Sequence, residues 1–180
     1  MNQRRFVLID RDGTINVEKH YLSDPDQLEL YPGVAAAIRR LNRLNLGVVV
    51  VTNQSGIARG YFDLARLDEI HTRLYAMLEA EGAAIDGLYI CPHGPDDDCD
   101  CRKPLPGMVD QAVAEHHFDP AQAFMIGDKE VDVELGQAVG AATFLVRTGH
   151  GAKHVDGTKA DHVVADLAEA VAIIEKSVAA

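Results

Sequence analysis

The sequence has no tryptophan, only three cysteines and no long apolar segment. No apolar run approaches the roughly 20 residues that a helix needs to cross a bilayer. The run Phe6–Ile9 near the start is also far shorter than the apolar region of a signal peptide. We therefore expect a cytoplasmic protein without a membrane partner.

Basic residues are also scarce. The chain has 17 lysines and arginines against 28 aspartates and glutamates, which gives a net charge of −11. Because nucleic-acid phosphates attract basic surfaces, this balance argues against nucleic acid as a general partner. With 180 residues, of which 47% are hydrophobic, the chain is predicted to form one domain, residues 1–180, with a substantial core.

The three cysteines lie close together with one histidine, in a polar stretch rich in proline and glycine. The four residues are Cys91, His93, Cys99 and Cys101. An odd number of cysteines does not suit a disulfide framework, whereas three thiolates and an imidazole are a familiar tetrahedral Zn²⁺ set. The alternative is a group of buried or redox-active thiols. We predict a structural zinc site that orders the loop 91–101, since four protein ligands leave no coordination position for a substrate.

Short apolar runs alternate with amphipathic segments along the chain. The runs are 6–9, 48–51, 88–90, 124–126, 143–146 and 162–164. The segments with helical periodicity are 34–46, 64–78, 106–117, 131–139 and 167–178. Continuous apolar runs suit parallel strands that are buried on both faces. The alternation predicts an α/β fold with a doubly wound, mainly parallel sheet and no large cap domain.

Capping residues mark the ends of the first two helices. Gly33 precedes the first helix, Asp63 is a candidate N-cap for the second, and Gly82 supplies a stop. Apolar residues that recur every three or four positions are expected to face the core. They are Val34, Ile38, Leu41 and Leu44, then Leu64, Leu67, Ile70, Leu74 and Leu78. The histidines of the helical segments are expected to be exposed or half-buried. These are His71, His116 and His117.

Reactive side chains follow four of the predicted strands. They are Asp10 with Asp12, Thr52 with Asn53, Gln54 and Ser55, Arg102 with Lys103, and Asp128 with Lys129. Ligands of open α/β sheets bind beyond the carboxyl ends of the strands. We therefore expect these side chains to meet in one site.

Two carboxylates, Asp10 and Asp12, stand directly after the first strand. A buried carboxylate is costly unless a cation or hydrogen bonds compensate, and the alternative role for this pair is to cap the following turn. Together with Asp128 they favour Mg²⁺, which prefers carboxylate oxygens. Next to such a cation, Asp10 can act as a nucleophile and Asp12 can transfer a proton. For Asp128 and Asp132 the alternative is capping of a helix N-terminus.

Four motifs resemble those of the haloacid dehalogenase-like phosphatases, in the same order. They are Asp10-x-Asp12-Gly-Thr14, Thr52, Lys103 and Gly127-Asp128-x-x-x-Asp132. The similarity extends over nearly the whole chain, through LIDRDGTINV, VVVTNQSGIARG, CDCRKPLPGM and IGDKEVD. It reaches the subgroup that contains sugar bisphosphate phosphatases and histidinol phosphatases, and it implies the Rossmann-like fold of this family. Relatives in the family carry the same cysteine and histidine set.

The resemblance implies a role for five of the motif residues. Asp10 would be the nucleophile that forms an aspartyl-phosphate, and Asp12 would be the general acid and base. Thr52 and Lys103 would stabilise the phosphoryl group. The implied Mg²⁺ site consists of Asp10, the backbone carbonyl of Asp12 and Asp128, with Lys129 adjacent. The implied substrate-binding residues are Glu18, Lys19, His20, Tyr21, Thr52, Asn53, Gln54, Ser55, Arg102 and Lys103.

Basic side chains are concentrated near the predicted site, although the chain as a whole is acidic. They are Lys19, Arg59, Arg102, Lys103, Lys129, Arg147 and Lys153, with His20 and His150 nearby. This concentration favours a substrate with a second phosphate over one with an ammonium group. We expect the distal phosphate to bind near Arg59, Arg102 or Arg147.

The resemblance then implies loss of the 7-phosphate from a heptose 1,7-bisphosphate, a step of heptose and lipopolysaccharide biosynthesis. One alternative is histidinol phosphate or another small phosphomonoester, because the five-residue spacing between His93 and Cys99 also matches the histidinol phosphatase form. A non-catalytic alternative is a metal-binding scaffold. The family also implies a monomer.

Overall fold

The computed structural model describes residues 3–179, which form one six-stranded sheet with helices on both faces. The strands are β1 (Phe6–Ile9), β2 (Gly47–Asn53), β3 (Gly87–Cys91), β4 (Phe124–Gly127), β5 (Ala142–Val146) and β6 (His162–Val164). Their order across the sheet is β3-β2-β1-β4-β5-β6, and every neighbouring pair is parallel. The predicted doubly wound parallel sheet is therefore confirmed, with each predicted strand within two residues of its observed bounds.

Five helices pack against the sheet, four of them between strands and the fifth after β6. They are α1 (Val34–Arg43), α2 (Leu64–Ala80), α3 (Gly107–His116), α4 (Glu130–Ala138) and α5 (Leu167–Ala179). Short 3₁₀ turns lie at Pro25–Gln27, Pro120–Gln122 and Gly151–Lys153. Between residues 3 and 179 no connection carries a separate cap domain, as predicted. None of the helices in this range has the length and apolar character needed to span a membrane.

The central strand β1 explains why its sequence is apolar without alternation. Val7 and Ile9 belong to the core cluster beneath α1, α2 and α5, whereas Phe6 and Leu8 belong to the cluster beneath α3 and α4. All four side chains are at most 1% exposed. Burying each such side chain stabilises the fold by about 1.5–3 kcal/mol. The strand end that carries the reactive residues is thereby fixed between two cores.

The capping predictions are confirmed, but two expected core positions are not. Asp63 accepts a hydrogen bond from the Arg66 backbone N–H at 2.9 Å and starts α2, while Gly82 has a φ of 73° after its end. Leu44 is 40% exposed and Leu64 is 52% exposed. Leu44 follows the last residue of α1, and Leu64 is the first residue of α2, so neither lies above the middle of the sheet.

The expectation for the helical histidines was wrong at one position. His116 is half-buried and His117 is exposed, as expected, but His71 on α2 is buried. His71 lies between Leu67 and Leu74 in helical spacing, so it belongs to the stripe of α2 that faces the sheet. The same periodicity that identified the apolar stripe could have predicted this burial.

Candidate active site

The reactive strand ends meet in a cleft of about 460 Å³ at the carboxyl edge of the sheet. Its lining residues are Asp10, Asp12, Glu18, His20, Tyr21, Asn53, Ser55, Arg59, Arg102, Lys103, Lys129, Val131, Asp132 and His150. Polar and charged side chains therefore form most of its wall. The strand ends that carry Asp10, Asn53, Lys103 and Lys129 thus open onto one cleft.

Asp10 lies at the floor of the cleft, immediately after β1. Its backbone N–H donates to the carbonyl of Ile126 in β4 at 2.9 Å, which extends the parallel pairing by one residue. Its Oδ1 accepts from Lys103 Nζ at 2.8 Å and from the Arg11 backbone N–H at 2.9 Å. Within residues 3–179, Oδ2 accepts no hydrogen bond, so this oxygen is the one available to a ligand.

Lys103 is a buried cation held between two carboxylates. Its Nζ lies 2.8 Å from Asp10 Oδ1 and 2.7 Å from Asp132 Oδ1, and it also donates to the Val51 carbonyl at 2.9 Å. Burial acts to lower the pKa of Lys103, but the charges of Asp10 and Asp132 outweigh it and raise the pKa above the usual value. Lys103 is therefore charged, and it presents that charge beside the free oxygen of Asp10.

Asp132 was not among the site residues proposed from the sequence, yet it is 1% exposed within this cluster. Its Oδ2 accepts from the Lys129 backbone N–H at 3.0 Å, so it does cap the start of α4. Its other oxygen meets Lys103. The sequence analysis weighed capping against a role in the fourth motif, and this side chain both caps α4 and pairs with Lys103. The four-residue spacing from Asp128 was the available signal.

Three buried carboxylates, Asp10, Asp128 and Asp132, offer oxygens that all lie within 4.8 Å of one another. Asp128 Oδ2 accepts from the His150 backbone N–H at 2.7 Å, whereas Oδ1 is buried without a hydrogen-bond partner among the described residues. Burial and the charge of Asp10 raise the pKa of Asp128 to about 8. Carboxylate crowding with an unpartnered oxygen fits a hard divalent cation, which would bind there and remove the repulsion.

Gly13 allows this cluster to form. A Cβ at that position would come within 2.1 Å of Asp128 Oδ2, and the φ of Gly13 is 85°, a region that favours glycine. The turn after Asp12 can therefore approach Asp128 only because residue 13 has no side chain.

Asp12 faces the cleft but is held from below by several donors. The buried Arg11 guanidinium donates from Nη2 to both carboxylate oxygens at 2.9 Å, Asn16 Nδ2 donates at 3.0 Å and Gln54 Nε2 at 2.8 Å. Burial acts to raise the pKa of Asp12, but Arg11 and these hydrogen bonds together lower it below the usual value. Asp12 thus has a fixed orientation, as a group that transfers protons requires.

The proposed substrate-binding residues fall into three groups. Those that line the cleft are Glu18, His20, Tyr21, Asn53, Ser55, Arg59, Arg102 and Lys103. Thr52 and Gln54 lie beneath the surface, where Gln54 Nε2 donates to Thr52 Oγ1 at 2.8 Å. Lys19 does not line the cleft, because its Nζ pairs with Glu29 at 2.8 Å. Nor do Arg147 and Lys153, so the expectation that places the distal phosphate near Arg147 lacks support.

The rim of the cleft contains an aromatic contact that the sequence did not reveal. The rings of Tyr21 and Tyr61 meet edge-on with their centroids 4.9 Å apart, and the Arg59 guanidinium lies 5.7 Å from the Tyr21 centroid. This contact joins the segment after β1 to the segment after β2. It brings Tyr21, Tyr61 and Arg59 together at the mouth of the cleft.

The cysteines and His93 form a compact group beside the cleft. Cys91 Sγ lies 3.9 Å from Cys99 Sγ and 3.5 Å from His93 Nδ1, and Cys101 Sγ lies 3.3 Å from the same nitrogen. The sulfurs of a tetrahedral site with Zn–S bonds of about 2.3 Å are about 3.8 Å apart, close to the observed separation. Burial raises the pKa of Cys91 to about 12, a cost that a bound cation would remove.

This group is directly linked to the cleft. Arg102 follows Cys101 and donates from Nη1 to the His93 carbonyl at 3.1 Å. The Lys103 backbone N–H donates to Asn53 Oδ1 at 3.0 Å, and Asn53 Nδ2 donates back to the Lys103 carbonyl at 3.3 Å. The loop that carries the cysteines therefore also places Lys103.

Comparison with known proteins gives consistent matches. Residues 100–170 match the HAD-hydrolase-like family. Over 172 residues the chain is 38% identical to the D-glycero-beta-D-manno-heptose-1,7-bisphosphate 7-phosphatase of Bordetella bronchiseptica, an alignment that covers 92% of this chain and 96% of that protein. The protein of the same name from Pseudomonas putida is 42% identical over 154 residues, covering 84% of this chain and 87% of the relative.

Solved structures agree with the sequence matches. The crystal structure of D,D-heptose 1,7-bisphosphate phosphatase from B. bronchiseptica, complexed with magnesium and phosphate, has a TM-score of 0.90 and 37% identity, covering 96% of this chain and 99% of that one. The corresponding enzyme from Burkholderia thailandensis has a TM-score of 0.74 and 32% identity over 96% and 99% of the two chains.

Proposed function

We propose a function for this chain, which belongs to the haloacid dehalogenase-like hydrolases. In this proposal it is a Mg²⁺-dependent phosphatase that removes the 7-phosphate of D-glycero-D-manno-heptose 1,7-bisphosphate. The observation that carries the proposal is the arrangement around Asp10 at the floor of a polar cleft, where Oδ1 binds the Lys103 cation and Oδ2 is left free. The names of the relatives specify the β anomer, which we take as the preferred substrate.

The reaction proceeds in two displacements in this proposal. Asp12 is ionised before the substrate binds, because its pKa is lowered, and the negative charge of the bound substrate favours uptake of a proton. Asp10 Oδ2 attacks phosphorus, the bond between phosphorus and the C7 oxygen breaks, and Asp12 gives that proton to the departing oxygen. Water then attacks the aspartyl-phosphate, Asp12 takes the proton of that water, and inorganic phosphate leaves while the Asp10 carboxylate is restored. Lys103 stabilises the negative charge of the transferring group throughout.

The residues present fit a magnesium site. Asp128 supplies a carboxylate oxygen that has no hydrogen-bond partner among the described residues, and Asp10 would supply the carboxylate oxygen that does not attack phosphorus. The Asp12 backbone carbonyl follows from the family pattern, and Lys129 lies alongside. When bound, Mg²⁺ supplies charge neutralisation between these carboxylates and the phosphoryl oxygens. Asp132 is less suited as a ligand. Its Oδ2 accepts from the Lys129 backbone N–H, and its Oδ1, although it accepts no hydrogen bond, lies 2.7 Å from the Lys103 cation.

The charge of the cleft supports a second phosphate on the substrate. Arg59, Arg102 and Lys129 line it, and each can meet a phosphate oxygen. Glu18 is the carboxylate at the rim that could meet an amine instead. It lies 3.7 Å from Lys129 Nζ and 3.5 Å from His150 Nε2, so cationic and imidazole groups already surround it.

The test compares two substrates. With Mg²⁺ present, we expect kcat/KM for the heptose bisphosphate to exceed that for histidinol phosphate by about 100-fold or more, a difference of about 2.7 kcal/mol. Phosphate release is measured with and without EDTA, and activity should disappear when the metal is removed. Preference for histidinol phosphate would reassign the substrate, and release that persists without metal would contradict the mechanism.

We also propose that Cys91, His93, Cys99 and Cys101 bind a structural Zn²⁺. Zinc affinity is then linked to the order of the loop 91–101, and through Lys103 to the cleft. The core cluster beneath α3 and α4 includes Cys91 and Cys101, and Cys99 packs against it, whereas the core cluster beneath α1, α2 and α5 contains none of the four ligands.

Replacing Cys99 with serine should therefore weaken zinc binding and substrate binding before it unfolds the domain. We expect zinc below one equivalent per chain and a KM raised about tenfold or more. Asp98→Ser, one residue earlier in the same loop, is the matched control and should change neither. Full zinc content in Cys99→Ser would exclude Cys99 as a ligand, and global unfolding would show that the metal supports the whole domain.

A further inference from the structure

Arg11 has a side chain with no exposed surface, and it lies between Asp12 and a histidine from a different part of the fold. Its Nη2 faces the Asp12 carboxylate, and its Nη1 lies 2.9 Å from His71 Nε2 on α2. His71 is itself only 8% exposed. Neither residue lines the cleft, so neither is in position to touch a substrate there.

The chemistry of the guanidinium decides the direction of this contact. Arginine has only donors, so the Arg11–His71 hydrogen bond exists only when His71 Nε2 is unprotonated and accepts. Burial and the Arg11 charge lower the pKa of His71 to about 3, which is consistent with a neutral acceptor. His71 thus fixes the second arm of the same guanidinium whose first arm holds Asp12.

The geometry points to His71 as a positioning residue: through Arg11 it sets the orientation of the Asp12 carboxylate toward the leaving group. This inference rests on the proposed function, in which Asp12 transfers protons. Asn16 and Gln54 each give Asp12 one further hydrogen bond, but Arg11 meets both oxygens and so restrains the rotation of the carboxylate. α2 then acts as the rigid support for a group that belongs to the loop after β1.

The inference predicts that replacing His71 slows the first displacement, and that the rate falls more for a leaving group that needs a proton to depart. Phenyl phosphate and p-nitrophenyl phosphate have nearly the same shape, but p-nitrophenolate departs without a proton whereas phenolate is much more basic. With enzyme in excess and Mg²⁺ present, release of the phenol reports only the first displacement. For His71→Leu, we expect this rate to fall about tenfold or more with phenyl phosphate and less than about threefold with p-nitrophenyl phosphate.

His71→Gln tests whether the acceptor itself is what matters, because the glutamine carbonyl can accept from Arg11 Nη1. It should restore the phenyl phosphate rate to within about threefold of the original. Leu78→Ala, seven residues further along α2, is the control for general loosening of the helix, since it removes a buried side chain of the same stripe. It should leave the ratio of the two rates unchanged.

Three outcomes would overturn the inference: equal losses on both esters, no loss on either, or a glutamine variant as impaired as the leucine variant. If His71→Leu does not fold, Arg11→Lys replaces it, because lysine keeps the charge but cannot span Asp12 and His71 together. The selective loss with phenyl phosphate is again expected. Hydrolysis of the heptose bisphosphate by the unmodified protein is measured separately, so failure of the proposed function is distinguished from failure of this inference.

Discussion

Replacing Asp10 with asparagine should reduce phosphate release by about four orders of magnitude or more, because the neutral amide is a poor nucleophile. The fold should survive this change. Lys103 keeps its contacts with Asp132 and the Val51 carbonyl, and the negative charge that raises the pKa of Asp128 is removed. Metal-free Asp10→Asn should therefore melt no lower than the unmodified protein.

Activity is measured by phosphate release under saturating Mg²⁺, and the fold by thermal unfolding and circular dichroism. Asp98→Asn makes the same chemical change on an exposed loop and should retain full activity. Beryllofluoride mimics a phosphoryl group on a carboxylate, so its adduct should form on Asp10 and on no other aspartate. Turnover in Asp10→Asn, or an adduct on a different residue, would disprove the aspartyl-phosphate mechanism.

The second large effect is expected at Lys103, which supports both catalysis and stability. Lys103→Met keeps most of the side-chain length but leaves the buried carboxylates of Asp10 and Asp132 without the cation that pairs with both. Breaking a buried ion pair from one side costs about 3–5 kcal/mol, which corresponds to a melting temperature lower by roughly 6–20 °C for a domain of this size. Turnover should also fall by about 100-fold or more, since charge stabilisation of the phosphoryl group is lost.

The pH dependence gives this prediction a direction. The folded pKa of Asp128, about 8, lies above its value of about 4 in an unfolded chain, so the folded protein binds more protons between these two values. Metal-free stability therefore falls as pH rises through that window. Without Lys103 the repulsion among the carboxylates is larger, and the fall should be steeper.

The fall in stability with pH is measured by thermal unfolding of the metal-free proteins at several pH values, and the measurement is then repeated with Mg²⁺. Mg²⁺ should recover part of the stability lost in Lys103→Met. Lys129→Met is the comparison, because it removes a cation from the same cleft but from a side chain that is 40% exposed, and exposed charges contribute only about 0–1 kcal/mol. Equal stability losses in the two variants would show that burial of the Lys103 pairs is not what matters.

Much of the site followed from the sequence because β-strands with two buried faces leave a clear pattern. An apolar run with no alternation, ended by Asp10, indicates a central parallel strand with a reactive carboxyl end. The grouping of Cys91, His93, Cys99 and Cys101 likewise follows from their spacing, since side chains this close in sequence can meet whatever the fold. Local pattern was sufficient in both cases.

What the sequence did not reveal depends on pairs far apart in the chain. In the sequence, Arg11 is simply a basic residue between two acids. Its burial depends on the packing of α2, which carries His71, 60 residues further along the chain. From the sequence, Lys19 and Arg147 are basic residues near the predicted site. Neither lines the cleft, because the direction of the side chain, which the sequence does not show, decides whether its charge reaches the cleft. Asp132 shows both situations. Its capping of α4 involves residues close in sequence and could be predicted, whereas its ion pair with Lys103 joins distant residues and could not.

The position of β1 in the middle of the sheet has an evolutionary consequence. β2 and β4 pair with it on either side, so the backbone that carries Asp10 is among the parts of the molecule least free to move. The rim residues Tyr21, Arg59 and Tyr61 lie instead on connections outside the strands, where replacements and insertions leave strand pairing intact. A duplicated gene could thus acquire a different phosphate ester by altering its rim alone, while inheriting the hydrolytic chemistry unchanged.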